Sequence, residues 1–445
     1  MARNRRMLLL AITCVGYLLA SSYPVNAQQT TPPPQVSTPP PFGCQRPADP
    51  RRRQTNCNDQ DFDLDETLAR GWNDVRRTMQ RIGITPTASY VGALQTNLTG
   101  GPGQIWSYAG QLSMGFSADF GKLVKIPGLS AYAGISWGTG SNLSASLDSA
   151  IPTSTLYAPS FYLGEMYLQQ KLLHQKLTIL AGRLAASDGF AALPVFTNYV
   201  TYGINPNPFS LGANDIAFSG PPPGTEWGAQ ASYTVTKTIQ VSAGVFNTNS
   251  NSANGESHGA DFTLQEGNKG ILAIGEIDYL RNQSADSVGK PGQIAAGFLH
   301  SNNSFPYLNN PLGHNDGYSG VYLLGQQMVF RPDGPGTSRG ATIWGAWTFN
   351  SKDLVSRIPS FWGAGLSYEG LIPVRKSDIV SVGLIGIEAS KYAQPANTEK
   401  GLELNYQWWH SRYLTITPHG QYLWKQDSHE SRNAAVLGIQ LALTL

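Results

Sequence analysis

The sequence is poor in charged residues and in long apolar runs. Asp, Glu, Lys and Arg make up 13% of its 445 residues, about half of the ~25% that is usual in soluble domains. After residue 27, no stretch approaches the ~20 consecutive apolar residues that a membrane-spanning helix needs. Together these absences exclude a helical membrane protein and an ordinary charged soluble enzyme.

The sequence offers no clear catalytic histidine set or metal-binding motif. H-E-x-x-H does not occur, and the seven histidines are scattered along the chain. The net charge is +2, and it becomes +2 − 3 = −1 if Arg3, Arg5 and Arg6 are removed with a signal sequence. That balance gives no electrostatic basis for nucleic-acid binding. We therefore predict no enzyme activity, no cofactor, no metal site and no nucleic-acid partner.

The first 27 residues have the pattern of a secretory signal peptide. Three arginines precede the apolar core Met7–Ala20, and Val25-Asn26-Ala27 resembles a cleavage site. The apolar run is too short for a membrane anchor, and Thr13 before Cys14 disfavours a lipoprotein. We predict export of the chain into an oxidising compartment.

Residues 28–64 form a Pro-rich extension without a core of their own. Gln28–Phe42 is rich in Pro, Thr and Gln, which favours an extended linker. Cys44 and Cys57 follow, and they are the only cysteines of the mature chain. In an oxidising compartment this spacing predicts a local disulfide and is a poor metal site.

Residues 65–83 are predicted to form a short helix. Leu68, Trp72, Val75 and Met79 share a stripe at helical spacing, and Gly83 is a typical helix end. We interpret this segment as a helix docked on the periplasmic end of the domain that follows; a coiled-coil oligomerisation helix is the alternative.

From residue 84 to residue 445 the pattern changes to that of β-strands. In the last segment, Leu437, Ile439 and Leu441 point one way and smaller or polar residues point the other. Sixteen segments are recognised, and their predicted ranges are 84–98, 105–120, 129–138, 161–172, 176–185, 226–235, 238–247, 270–281, 292–301, 319–330, 339–350, 361–372, 378–390, 401–410, 412–425 and 433–445. An even number of alternating strands predicts an all-β fold, a transmembrane antiparallel β-barrel of about sixteen strands with a watery lumen.

Three polar, turn-rich gaps separate these strands. Ser187–Thr225 is the longest, and Asn247–Lys269 and Asn302–Tyr318 are also loop-like. A loop as long as the first is usually functional. We expect it to fold into the lumen and narrow the channel, with a disordered surface loop as the alternative.

Several stretches resemble one known family, the carbohydrate-selective porins (OprB family). The stretches that carry the resemblance are Leu68–Arg76, Asn97–Gly101, Tyr167–Gln170, Leu180–Leu184, Lys290–Phe305, Phe361–Leu366, Gly370–Pro373, Leu402–Tyr406 and Pro418–Tyr422. The resemblance covers about residues 65–445 and implies a sixteen-stranded outer-membrane channel for glucose and related sugars. The chain departs from the family pattern by ending in Leu445 where Phe is usual, and by its Pro-rich extension.

A sugar channel needs weak, inward-facing polar and aromatic contacts rather than a catalyst. Strand alternation places one set of side chains in the lumen: Glu165, Tyr167, Gln169, Arg183, Glu276, Asp278, Glu403, Asn405, Gln407 and Trp409. The same alternation turns Tyr162, Met166 and Leu168 toward lipid, and it places Leu180 and Leu184 opposite Arg183. Asp188, at the loop entry, is predicted to pair with Arg183.

The function expected from this pattern is passive, carbohydrate-selective diffusion across the outer membrane of a Gram-negative bacterium. The alternatives are a general porin, a barrel-fold enzyme and a periplasmic sugar-binding protein. The expected partners are small sugars, outer-membrane lipid and the barrel-insertion machinery, with the chain a monomer or a homotrimer.

Overall fold

The protein forms a closed antiparallel β-barrel. The structure, a computed structural model, describes residues 69–156, 161–219, 224–248, 255–263, 270–284, 287–351, 353–393, 398–426 and 433–445. The predicted signal peptide, the Pro-rich extension and the Cys44–Cys57 disulfide lie outside the described residues.

Sixteen strands make up the barrel in the described part of the chain, so the predicted number is confirmed. Each strand pairs antiparallel with its sequence neighbours, and the first pairs with the last, which closes the ring. The strands are β1 Ile84–Thr99, β2 Trp106–Asp119, β3 Leu129–Gly140, β4 Phe161–Leu172, β5 Leu177–Leu184, β6 Glu226–Thr234, β7 Ile239–Asn247, β8 Ile271–Arg281, β9 Gly292–Tyr307, β10 Asn310–Phe330, β11 Gly340–Asn350, β12 Ser360–Glu369, β13 Ile379–Glu388, β14 Thr398–Trp409, β15 Leu414–Gln426 and β16 Ala434–Thr444.

The predicted alternation of side chains is confirmed where the wall is regular. On β16, Leu437, Ile439 and Leu441 are 49%, 45% and 39% exposed on the outside, while Val436 is buried inside. An apolar outer face of this kind is the surface that a membrane barrel presents to lipid.

The hairpin of β9 and β10 extends far beyond its neighbours. Residues 302–318 were predicted to be a loop, and that prediction is wrong because both strands continue through most of this segment. Phe305 and Tyr318 pack edge to face across the hairpin with ring centroids 5.3 Å apart. Leu308 N donates a hydrogen bond to Leu354 O (2.8 Å), which ties the tip to the next loop. This tertiary packing stabilises strands in a segment rich in turn-forming residues.

Helices occupy the strand connections. Helix α1 covers Ala69–Ile82 and is followed by Gly83 at φ 96°. Asn73 Nδ2 donates to Tyr413 Oη (2.6 Å), so α1 lies at the end of the barrel that holds the beginning of β1 and the end of β16. We call this the terminal end and the opposite one the loop end. The remaining helical segments are α2 Phe120–Leu123, α3 Ser144–Leu147, α4 Ala186–Gly189, a 3-10 turn at Pro194–Asn198, α5 Phe209–Asn214, α6 Ile216–Ser219 and a 3-10 turn at Gly255–Ser257.

None of the helices in the described residues is long and apolar enough to cross a membrane.

Two segments from the loop end enter the barrel. We call residues 141–156 the first lumen loop and residues 185–219 the second lumen loop. Their apolar side chains, such as Phe196 and Ile151, are buried against inward-facing wall residues including Trp344 and Ile385. Phe196 and Trp344 meet edge to face with centroids 5.2 Å apart. The predicted inward fold of the long loop is therefore confirmed.

Candidate functional site

Glu403 on β14 anchors the second lumen loop. Its carboxylate accepts hydrogen bonds from the backbone N–H groups of Val200 (2.8 Å) and Thr201 (2.7 Å). Two wall amides, Asn405 Nδ2 (2.6 Å) and Gln421 Nε2 (3.0 Å), donate to the same carboxylate. Glu403 faces inward as predicted, and its acceptor capacity is used by the loop and its neighbours.

Glu399 holds the first lumen loop in the same manner. The carboxylate accepts from Ala150 N (3.0 Å), Ile151 N (3.2 Å) and Ser149 Oγ (2.9 Å). Glu399 was not among the predicted residues. It stands four positions before Glu403 on the same face of β14, and it was missed because the predicted strand began at residue 401.

Glu276 on β8 is a third anchor. Ala191 N of the second lumen loop and the hydroxyl of Tyr322 each donate to its carboxylate at 2.7 Å. Tyr322 reaches Glu276 across Gly297, where an added Cβ would lie 2.0 Å from the tyrosine ring. The absence of a side chain at Gly297 makes this contact possible.

Asp278 on β8 and the other predicted residues of β14 also face the inside of the barrel. Asp278 is 1% exposed and accepts from Gln293 Nε2 (2.9 Å). Trp409 is at the terminal end, where its backbone N–H donates to Asp378 Oδ1 (3.1 Å) and its backbone carbonyl accepts from Arg375 (3.0 Å). Asn405 and Gln407 share this inward face of β14 with Trp409.

Arg183 lies on the outer face of the barrel, so its predicted inward placement is wrong. It stands directly opposite Met166 and Trp227, and opposite residues of an antiparallel pair share a face. Leu168, two positions from Met166, is 38% exposed and marks that face as the outer one. Leu180 and Leu184 instead point inward, where they are buried against the second lumen loop.

The Arg183 charge is covered from outside by residues 255–263, which we call the strap. The guanidinium donates to the carbonyl oxygens of Gly259, in a short contact, and of Thr225 (3.4 Å). Leu163 N on β4 donates to His258 O (2.8 Å), which holds the strap against the wall. The predicted pairing of Arg183 with Asp188 is therefore wrong.

A β-bulge reverses one further assignment. Gly134 on β3 faces both Gly164 and Glu165 on β4, because the register shifts there by one residue. Beyond the shift, Tyr162 stands opposite the inward-facing Ser136 and hydrogen-bonds it. Tyr162 therefore faces the lumen, and its predicted lipid-facing position is wrong.

The inward face of β1 to β4 keeps a group of partly exposed side chains, whereas Ala93, Gln95 and Ala109 nearer the loop end are buried. The half-buried side chains on this wall are mainly hydroxyls, amides and phenols: Thr85, Thr87, Ser89, Gln111, Ser113, Ser117, Ser130, Tyr132, Ser136, Tyr162, Tyr167 and Gln169. We call these residues the polar strip. Ser113 and Ser136 hydrogen-bond each other (2.9 Å), as expected for hydroxyls that share one face.

Two carboxyl groups lie beside two tyrosines of the polar strip. Tyr132 and Tyr167 stand directly opposite each other, with ring centroids 5.4 Å apart. The carboxyl groups of Glu165 and Asp188, the latter from α4, hydrogen-bond each other beside these rings. Burial raises the pKa of Asp188 above its ordinary value, and its hydrogen bond to Glu165 opposes that rise. The structure thus brings the predicted residues Glu165, Tyr167 and Asp188 together and adds Tyr132.

The second lumen loop carries one further titratable group of note. Burial raises the pKa of Asp215 to about 6. Its Oδ1 accepts from Ala217 N (3.0 Å), and this bond and the nearby Ser301 hydroxyl oppose the rise of the pKa.

No set of three or more His, Cys, Asp and Glu side chains that could hold a metal ion occurs in the described ranges. The carboxylates of the lumen are instead arranged around backbone N–H groups and amides, which suits anchoring of the loops.

The family described as "Carbohydrate-selective porin, OprB family" matches residues 104–445 of this chain. The chain belongs to the carbohydrate-selective porin family. A search of the curated proteins found no match.

Solved structures agree with this fold. The high-pH structure of Pseudomonas putida OprB has a TM-score of 0.75 and 20% identity, covering 84% of this chain and 97% of that one. The low-pH structure of the same protein has a TM-score of 0.57 and 18% identity, covering 84% and 96%. A mutant porin of Rh. blastica, 10% identical, covers 81% of this chain and 100% of its own, with a TM-score of 0.45. At these identities the likeness to the two OprB structures concerns the barrel fold alone.

Proposed function

We propose that this porin lets glucose and other small sugars diffuse passively across the outer membrane of a Gram-negative bacterium. The observation that carries the proposal is the polar strip, whose side chains stay partly exposed while many inward side chains of β8 to β16 are buried beneath the lumen loops. Hydroxyls, amides and phenols can exchange hydrogen bonds with a sugar without holding it strongly. Passage requires contacts favourable enough for entry and weak enough for release.

The pair Tyr132 and Tyr167, with Glu165 and Asp188, is the proposed sugar contact. An aromatic ring offers an apolar face to the C–H side of a pyranose, and the carboxyl oxygens accept hydrogen bonds from its hydroxyls. Gln169 lies two positions beyond Tyr167 on the same face of β4 and extends the contact toward the terminal end.

We assign the other predicted lumen residues a supporting role. Glu276 and Glu403 hold the second lumen loop against the wall of β8 to β14 and so keep the passage on the opposite side. Asp278 is buried beneath the lumen surface. Trp409 belongs to the rim of the terminal end, which we take as the periplasmic exit.

Current through single channels in a planar bilayer tests this function. We expect glucose to reduce the salt current in a saturable manner, and liposomes that carry the protein to swell in glucose. A salt current indifferent to millimolar glucose would indicate a general porin. Complete absence of conductance would show that the protein does not form a channel.

The N-terminal segments complete the proposal. Residues 1–27 would direct export, Cys44 and Cys57 would form a disulfide in the oxidising periplasm, and the barrel-insertion machinery would then place the barrel in the outer membrane. Either a monomer or a homotrimer is consistent with an apolar outer face, and cross-linking in native membranes distinguishes them.

A further inference from the structure

Basic side chains surround the terminal end of the barrel. In the described residues, each of the seven turns that join strands at this end contains Lys or Arg. These residues are Lys122, Lys125, Lys176, Lys237, Lys290, Arg331, Arg339, Arg375, Lys376 and Arg412.

Five of the turns combine an exposed lysine with an exposed aliphatic side chain. Val288 beside Lys290 is 84% exposed, and Val374 beside Lys376 is 88% exposed. The other three pairs are Val124 with Lys125, Leu173 with Lys176 and Val235 with Lys237. A large aliphatic side chain at the tip of a turn is unfavourable in water and favourable at the edge of a hydrocarbon layer.

Outward-facing aromatic side chains lie close to these turns at the terminal end. Trp408 at the end of β14 faces outward, and the guanidinium of Arg375 lies 5.5 Å from its ring centroid. Tyr279, near the end of β8, is 48% exposed on the outer face. Because tyrosine and tryptophan favour the membrane–water interface, this level is the edge of the bilayer. The lysine turns begin just beyond it, at headgroup depth.

The ion pairs at this end involve arginines and leave the five lysines available. Arg339 pairs with Asp333 (3.1 Å) and Arg375 with Asp378 (2.8 Å). Among the described residues, Lys125, Lys176, Lys237, Lys290 and Lys376 form no ion pair.

We propose that these five lysines, each with its aliphatic neighbour, bind the phosphate groups of anionic phospholipids in the leaflet at the terminal end. A long lysine stem can lie along apolar chains while its ammonium group remains at the headgroups. The five positions are spread over turns from β2 to β13, so they encircle much of the barrel. A protein partner would be expected to contact one sector, whereas a lipid annulus contacts the whole circumference.

The test compares lipid association of the full-length protein reconstituted in mixed bilayers. Spin-labelled phosphatidylglycerol and phosphatidylcholine serve as probes, and their ratio at the barrel surface is measured at low and high salt. One variant carries Lys125→Gln, Lys176→Gln, Lys237→Gln, Lys290→Gln and Lys376→Gln. Its control carries Arg at the same five positions. Heat-modifiable electrophoretic mobility reports whether each barrel is folded.

For the wild type we expect phosphatidylglycerol to be enriched about fivefold over phosphatidylcholine, since a basic side chain at an anionic surface contributes about 1 kcal/mol. The enrichment should fall toward one in the Gln variant and in high salt, and persist in the Arg control. Equal association of both lipids with the wild type would overturn the proposal, as would an unchanged preference in a folded Gln variant.

Discussion

The two sides of the lumen wall share one strand geometry but have different surroundings. On β1 to β4 many inward side chains are polar and stay half-exposed, whereas on β8 to β16 many are buried beneath the lumen loops. Ser113 and Ser381 illustrate the contrast, because both face inward, yet Ser113 is half-buried and Ser381 is fully buried. A side chain can therefore face the lumen and still be covered by a loop, so that it does not line the proposed path of the sugar.

Removing a loop anchor should expose the inward side chains of β8 to β16 and so abolish the difference in exposure between the two sides of the lumen wall. Glu403→Ala leaves the N–H groups of Val200 and Thr201 without their acceptor, and each buried unsatisfied donor costs about 1–3 kcal/mol. We expect the second lumen loop to lose roughly 2–6 kcal/mol of anchoring and single-channel conductance to rise. Glu388→Ala, at an exposed acid of β13, is the control. An unchanged conductance in Glu403→Ala would contradict the anchoring role.

Protonation of Asp215 should stabilise the packing of the same loop. Because its pKa is raised from 3.8 to about 6, the folded loop binds the proton more tightly than the open loop does. The stabilisation is fully present below about pH 4 and is lost as the pH rises through about 6, a change of about 3 kcal/mol.

Hydrogen exchange of the amides in residues 209–219 measures this effect. The local opening free energy should fall with rising pH in the wild type and be nearly flat in Asp215→Asn. The same pH slope in both proteins would show that another group is responsible.

Arg183 should matter for the outer strap and not for the passage. Arg183→Met removes the hydrogen bonds to Gly259 and Thr225, and we expect a loss of about 2 kcal/mol of strap stability. Limited proteolysis should then cut within residues 255–263 more rapidly, while glucose block stays unchanged. Arg281→Met, at an exposed residue of β8, serves as the control. Weaker glucose block in Arg183→Met would show that Arg183 does act in sugar passage.

The tyrosine pair should have the smallest energetic effect, confined to sugar binding. We expect Tyr132→Ala with Tyr167→Ala to raise the half-blocking glucose concentration about tenfold, equivalent to about 1.4 kcal/mol. Tyr279→Ala, on the lipid-facing side, should leave the block unchanged. If glucose blocks the double variant Tyr132→Ala with Tyr167→Ala as it blocks the wild type, the sugar contact lies elsewhere.

Strand alternation predicted the barrel and most inward positions because a lipid-facing wall must be apolar. It failed at Arg183 because Leu180 and Leu184 are apolar for a different reason, namely packing against a loop inside the lumen. It failed at Tyr162 because a single bulge at Gly164 and Glu165 reverses the faces beyond it. Neither the loop packing nor the bulge has a local sequence signature, so both require the tertiary structure.

The anchors show a related limit. Glu276 and Glu403 were correctly placed inside, but their partners are backbone N–H groups of a loop distant in sequence. Alternation identifies the face of a carboxylate and not the group that it binds. That distinction separates a wall residue that supports the passage from one that lines it.

The most direct test of the account is thiol accessibility on the two sides of the lumen. Ser113→Cys and Ser381→Cys are made in a chain whose own cysteines are replaced by Ser, and a membrane-impermeant thiol reagent is added during bilayer recording. We expect the reagent to reduce the current through Ser113→Cys and to leave Ser381→Cys unaffected. Equal reaction at both positions, or reaction at Ser381→Cys alone, would contradict a sugar passage along β1 to β4.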